Sequence, residues 1–332
     1  MSGTIMEQEA REAPQRLADQ LLWANNRFEK LGEKLREISP SMIWVAGRGT
    51  SDHAGVFAKY LIEVEAGVPV SLASPSVASI FNRRLDLSGA VAVFISQSGQ
   101  SLDILAQANM AREQGVYSIA IVNDEYSPLA ERVDCVIPLY AGEETAVAAT
   151  KSCLLTLAAL LQIVAHWQQD QTLLAELIRL PDLLDNAVQS SDSETPKQLT
   201  ALQSCMVLGR GFGYAISREI ALKLKEVCQI HAESFSSAEF IHGPVTLAHQ
   251  DFHVLDVHIQ DETAFVHKQQ ITEIKQRGAT ILPVEQPVLS VHPRLAPLTL
   301  LQRFYIDIAK VSLSRGMDPD TPVGLKKVTK TL

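Results

Sequence analysis

Six consecutive apolar residues, Ala90–Ile95, run without a polar interruption into Ser96-Gln97-Ser98-Gly99-Gln100-Ser101 and a helical pattern reaching Gln114. A strand with no alternation is covered on both faces, the condition of a parallel sheet with helices on each side. The same alternation surrounds it. Met42–Ala46 is an apolar strand entering Gly47-Arg48-Gly49-Thr50-Ser51 and a helix over 52–66. A strand over 68–72, a helix near 76–81, strands over 117–122 and 135–139, and a long helix, Lys151–Gln168, complete the series. Strands alternating with helices through short loops predict a doubly wound, flavodoxin-like α/β domain. Ahead of it, Leu17, Leu21, Ala24, Phe28, Leu31, Leu35 and Ile38 recur at three and four spacing, and Ser39-Pro40 stops that helix.

The pattern then restarts. Residues 190–197 are polar and contain Pro196, as an interdomain linker would. A strand over 205–208 enters Gly209-Arg210-Gly211 and a helix over 214–230, so Gly47-Arg48-Gly49 recurs 162 residues later. Downstream, Ala73-Ser74-Pro75-Ser76 lies roughly opposite Ala232-Glu233-Ser234-Phe235. Internal duplication follows, with two parallel-sheet domains. The division expected is a helical segment over 1–40, a first domain over 41–170, a helix and linker over 171–200, a second domain over 201–318 and a C-terminal tail over 319–332 contributing to the active site. The copies differ in one respect: Ser96-Gln97-Ser98-Gly99 is replaced by His258-Ile259-Gln260-Asp261, which has no hydroxyl cluster.

With 332 residues, 46% hydrophobic and 20% charged, the chain has the balance of a globular protein and not of a disordered or coiled-coil one. Lys and Arg total 29 against 38 Asp and Glu, a net charge of −9 with no basic block, which disfavours nucleic acid and anionic membranes as partners. Any phosphate is bound by a local, built site. Cys135, Cys153, Cys205 and Cys228 are widely spaced with no CxxC pair, so buried reduced thiols are expected. The first residues carry no apolar leader run, and the most apolar helix is broken by Thr156, Gln162 and His166, so a cytoplasmic location is expected.

Two loops, each following a buried strand and opening a helix, suit a phosphate monoester. Helix-start N–H groups favour an anion, and Thr50, Ser51, Ser96, Ser98 and Ser101 add hydroxyl donors. No Gly-x-x-x-x-Gly-Lys is present, and the dinucleotide fingerprint fails because residue 52 is Asp. Lys223-Leu224-Lys225-Glu226 falls within a helix and reads either as a solvated face or as a source of acid–base groups. His231 reads as an acid–base group or as a hydrogen-bonded core histidine. No H-E-x-x-H helix or paired His/carboxylate spacing is evident, so neither a metal nor another cofactor is assigned.

These residues resemble the sugar isomerase (SIS) domain family, and within it the tandem-SIS isomerase half of glucosamine-6-phosphate synthase. The matching pieces are Met6-x-x-Glu9-x-x-Glu12-x-Pro14, Gly49-Thr50-Ser51, Ser96-Gln97-Ser98-Gly99, the run from Glu144 to Lys151, Leu222–Glu226, His231-Ala232-Glu233, Glu239-x-x-His242-Gly243-Pro244, and Asp318-x-Asp320-x-Pro322 leading into Leu325-Lys326-Lys327. The resemblance implies that Gly49, Thr50, Ser51, Ser96, Gln97, Ser98 and Ser101, with Val147 and Ala148, bind a sugar 6-phosphate. It implies that Glu226 shuttles a proton between C1 and C2 with Lys223 beside it. His242 would aid ring opening from a neighbouring subunit, hence a homodimer, and Lys327 would meet the sugar carbonyl. One departure is Ala149, where the family usually has serine. Another is that no glutaminase domain precedes residue 1. The activity expected is therefore an isomerising deaminase, glucosamine 6-phosphate and water giving fructose 6-phosphate and ammonia. The alternatives are a deglycase or isomerase acting on another amino-sugar or fructosamine 6-phosphate, and a non-catalytic sugar-phosphate sensor.

Overall fold

The structure, a computed structural model, describes residues 3–190, 194–284 and 286–327. Its elements in chain order are α1 (Ile5–Ile38), β1 (Met42–Ala46), α2 (Thr50–Glu65), β2 (Val70–Leu72), α3 (Ser76–Ser79), β3 (Ala90–Ile95), α4 (Leu102–Glu113), β4 (Ser118–Val122), β5 (Cys135–Pro138), α5 (Lys151–Gln168), α6 (Gln171–Ile178) and α7 (Leu180–Gln189). The second series is α8 (Thr195–Thr200), β6 (Ser204–Gly209), α9 (Phe212–Cys228), β7 (His231–Ser236), α10 (Ser237–Ile241), β8 (His253–Val257), α11 (Ala264–Gln276), β9 (Thr280–Val284) and α12 (Ala296–Ser314). The chain divides into two compact units. The first comprises Ala13–Glu144, Lys151–Pro181 and the described tail from Lys326; the second comprises the described residues of Met1–Glu12, Thr145–Thr150 and Asp182–Leu325.

In the first unit five parallel strands lie in the order β2-β1-β3-β4-β5, the flavodoxin-like order. All six residues of β3 are buried, as its unbroken apolar run requires. Trp44 and Phe94 pack edge-to-face at 6.1 Å within a core shared with Ile104 and Leu129. Helix α5 is buried along almost its whole length. Its Gln162 is accommodated there because Nε2 donates to Gln20 Oε1 at 3.0 Å, while Gln20 donates to the Leu139 carbonyl at 3.0 Å.

The second unit holds four parallel strands in the order β7-β6-β8-β9, with α12 packed on α9. The duplicated glycines adopt matching backbones. Gly49 caps α2 at φ 55°, ψ −126°, and Gly211 caps α9 at φ 53°, ψ −122°, a region that only glycine enters without strain. Beyond these turns the downstream correspondence is looser, since Ala73-Ser74-Pro75 follows β2 whereas Ala232–Phe235 lies inside β7.

Three expectations change. Helix α1 begins at Ile5 instead of near residue 17 and contains Pro14. Proline has no N–H to give the Ala10 carbonyl, and Gln302 Nε2 donates to that carbonyl instead at 2.8 Å. Of the polar segment expected as a linker, residues 191–193 lie outside the described residues and the end opens α8 at Thr195, with Pro in the first turn, where its missing N–H costs nothing. Of the cysteines, all free, Cys153, Cys205 and Cys228 are buried, but Cys135 at the edge strand is only partly so. Among the described residues no helix is long and apolar enough to cross a membrane.

Candidate active site

In the first unit, β1 and β3 are hydrogen-bonded neighbours whose carboxyl ends feed α2 and α4, while β2 lies on the far side of β1. Chain direction across the sheet reverses here, and a crevice at such a switch point is where open α/β sheets bind ligands. The structure thus brings Gly49, Thr50 and Ser51 to the same sheet edge as Ser96, Gln97, Ser98 and Ser101. Arg48 of the first loop pairs through Nε with Oδ2 of the buried Asp103 in the first turn of α4 at 2.5 Å, tying the loops together. The second loop is held by its own backbone and hydroxyls. The Gly99 N–H meets Ser96 Oγ at 3.2 Å, the Asn123 N–H meets the Gln97 carbonyl at 3.0 Å, and the Leu129 N–H meets the Gly99 carbonyl at 3.1 Å. Ser101 stands at the α4 N-cap without its hydroxyl accepting from the first turn. The N-termini of these helices, of 16 and 12 residues, and this row of hydroxyls supply the kind of donors an anion site would use, with no lysine among them.

In the second unit, α9 carries Lys223 and Glu226. The solvated-face reading of this segment fails for Lys223, which is 1% exposed. Its Nζ lies 2.7 Å from Glu226 Oε2 and 3.1 Å from Glu219 Oε1. Burial opposes the ammonium charge, but Glu219 and Glu226 outweigh it and hold its pKa above the ordinary lysine value. Glu226 keeps 23% of its side chain exposed, so it is a fixed carboxylate that still reaches outward. Tyr305 Oη donates to Glu219 Oε1 at 3.1 Å. Glu219 and Tyr305 were not singled out from the sequence, although Glu219 stands four residues before Lys223, a spacing that places both on one helix face.

His242 closes α10 with its backbone N–H on the Glu239 carbonyl, and its side chain is exposed. His231 is exposed too, its Nε2 4.0 Å from Glu233, so it is not a core histidine. Lys327 Nζ contacts Glu144 Oε2 at 3.0 Å; Glu144 is buried and also accepts from Ser152 N–H at 3.1 Å and Ser152 Oγ at 2.7 Å. Val147 and Ala148 lie in the segment following Glu144, where the Val147 N–H donates to the Asp320 carbonyl at 3.0 Å.

Several motif residues prove architectural. Asp320 caps α1 from more than 300 residues away, accepting from Ile5 N–H at 2.9 Å and Met6 N–H at 2.8 Å. Glu9 accepts from Thr145 N–H at 2.5 Å and from Thr145 Oγ1 at 3.1 Å.

The SIS domain family matches residues 38–166 and 199–299. The glutamine–fructose-6-phosphate aminotransferase [isomerizing] of Thermotoga maritima is 32% identical over 97% of this chain and 58% of its own length. The chain spans about half the length of the curated relatives it matches. A solved structure from Silicibacter pomeroyi DSS-3, a proposed phosphosugar isomerase, has a TM-score of 0.89 and 36% identity, covering 96% of this chain and 100% of that one. The C-terminal domain of glucosamine-fructose-6-phosphate aminotransferase from Francisella tularensis has a TM-score of 0.84 and 28% identity, covering 97% and 99%.

Proposed function

Because this chain belongs to the SIS domain family, we propose that it acts on a sugar 6-phosphate, and that its reaction is an isomerising deamination. Glucosamine 6-phosphate and water give fructose 6-phosphate and ammonia. The observation that carries this reading is the Lys223–Glu226 pair. A carboxylate held in place by a buried ammonium, yet partly exposed, suits proton transfer between adjacent carbons when one proton is acidified by a carbonyl. An amino aldose and its ketose differ by such a transfer.

In this mechanism the 6-phosphate is held by Gly49, Thr50, Ser51, Ser96, Gln97, Ser98 and Ser101, with Val147 and Ala148 contacting the sugar. His242 assists ring opening to the free aldehyde, whose oxygen meets Lys327. Glu226 takes the C2 proton and returns it at C1, while the amino nitrogen gives up a proton and the carbonyl oxygen gains one. The product is an imine at C2, and its hydrolysis by water releases ammonia and leaves the ketose.

The aminotransferases found as relatives are named for fructose 6-phosphate, and the Francisella tularensis structure for glucosamine as well, which supports the substrate class. The 36%-identical structure favours a second reading, isomerisation of a sugar phosphate without loss of nitrogen. A panel of glucosamine, galactosamine and fructosamine 6-phosphates, together with nitrogen-free aldose 6-phosphates, separates the two. Deamination predicts ammonia and fructose 6-phosphate in equal amounts from glucosamine 6-phosphate. Ketose formation from a nitrogen-free substrate, with no ammonia from any amino sugar, sinks the proposal.

The exposed ring of His242 supports a further part of the proposal, that it serves a second copy of the chain in a homodimer. Mixing inactive His242→Ala and Glu226→Gln protomers is then expected to restore part of the activity. No recovery after verified subunit exchange removes the shared site.

A further inference from the structure

In the second unit the loop that replaces the hydroxyl cluster of the first carries different chemistry. Asp256 is on β8 and His258 follows two residues later, a spacing that in extended backbone turns both side chains to one face. His267 comes from the first turns of α11. One potential ligand atom from each of the three lies within 4.8 Å of the others.

The hydrogen bonds around His267 determine which atoms hold protons. Ser237 Oγ donates its single proton to Gln270 Oε1 at 2.6 Å. At 2.9 Å from His267 Nδ1, the same oxygen is therefore an acceptor, and Nδ1 carries the N–H. His267 Nε2 lies 2.7 Å from Asp256 Oδ1, so the imidazole and the carboxylate converge on one place. The His258 ring stands with its centroid 5.7 Å from that of His267, bringing a third donor group to the same place.

We propose that Asp256, His258 and His267 bind a divalent transition-metal ion of the zinc class. Two imidazoles and one carboxylate are the three-ligand set that leaves a fourth position open. Asp256 and His258 line a cavity of about 570 Å³, bordered also by Gln260, Ala264, Phe265 and Lys268, with room for a water or a small anion. The chain Gln270–Ser237–His267 supplies the outer-sphere acceptor that fixes the metal-binding tautomer of a ligating histidine. The site would clamp strand β8 to helix α11 and shares no residue with the Lys223–Glu226 pair.

The test is metal uptake by the full chain, freed of tag and stripped with chelator, then titrated with ZnCl2 against a chromophoric competitor. Wild type is expected to take up one Zn2+ per chain. Ser237→Ala, which leaves all three ligands in place, is expected to weaken binding about 10–100-fold. His258→Ala removes a ligand at the cavity wall and is expected to lose more than that while retaining its circular dichroism spectrum. Absence of stoichiometric uptake by the folded wild type, or uptake unchanged in His258→Ala, overturns the assignment.

Discussion

Glu226→Gln is expected to lower turnover by about 10²–10⁴-fold, the worth of a positioned acid–base group, while leaving substrate binding near wild type. The carboxamide keeps the shape of the side chain and can still accept from Lys223, but it cannot take a carbon-bound proton. Lys223 also retains its ion pair with Glu219, so the fold should survive. Wild-type enzyme working in D2O is expected to leave deuterium at C1 of the product ketose, in the proportion by which exchange at Glu226 outruns direct return. Near-normal ammonia release by Glu226→Gln would contradict the assignment, because a surface residue elsewhere on the helix costs almost nothing when replaced. The next carboxylates to test would differ sharply in setting: Glu144 is buried against Lys327, whereas Glu239 is exposed.

Lys223→Met is expected to destabilise the protein by about 3–5 kcal/mol in urea unfolding, since removing one partner strands a buried charge. Glu219 is only 2% exposed and would keep the Tyr305 hydroxyl but lose its ammonium. The double variant Lys223→Met, Glu219→Gln should recover part of the loss, because the uncompensated charge is then gone. A change below about 1 kcal/mol in the single variant would show that water reaches the pair. The sign of the pH dependence is set by the raised pKa of Lys223. Its stabilising contribution is complete below the unfolded lysine value of about 10.4 and is lost only as pH rises beyond it. The contribution should therefore be flat across neutral pH.

Much of the fold was legible because burial on two faces leaves a linear trace. Strand β3 and helix α5 have the limits their apolar runs imply, Ala90–Ile95 and Lys151–Gln168. The Gly-Arg-Gly turns 162 residues apart revealed the duplication, since their backbone angles exclude most side chains. The placement of the two hydroxyl-bearing loops was legible for a related reason, as a strand's end and a helix's start position them with little help from the rest of the chain.

Tertiary structure decided the rest, wherever a residue's state depends on a distant partner. The start of α1 could not be read locally, because its first amides are capped by Asp320 and the carbonyl orphaned by Pro14 is satisfied by Gln302. Lys223 and His231 show the same limit in opposite directions. A lysine whose sequence also allowed a solvated face is buried because Glu219 and Glu226 neutralise it, and a histidine with a possible core role is exposed at the sheet's edge strand. The grouping of Asp256, His258 and His267 arises only when α11 folds back onto β8, which is why no spacing in the chain announces it. Local pattern determined the elements and the turns that join them. Long-range packing alone set the charge state and exposure of the side chains, because both depend on which groups exclude water around them.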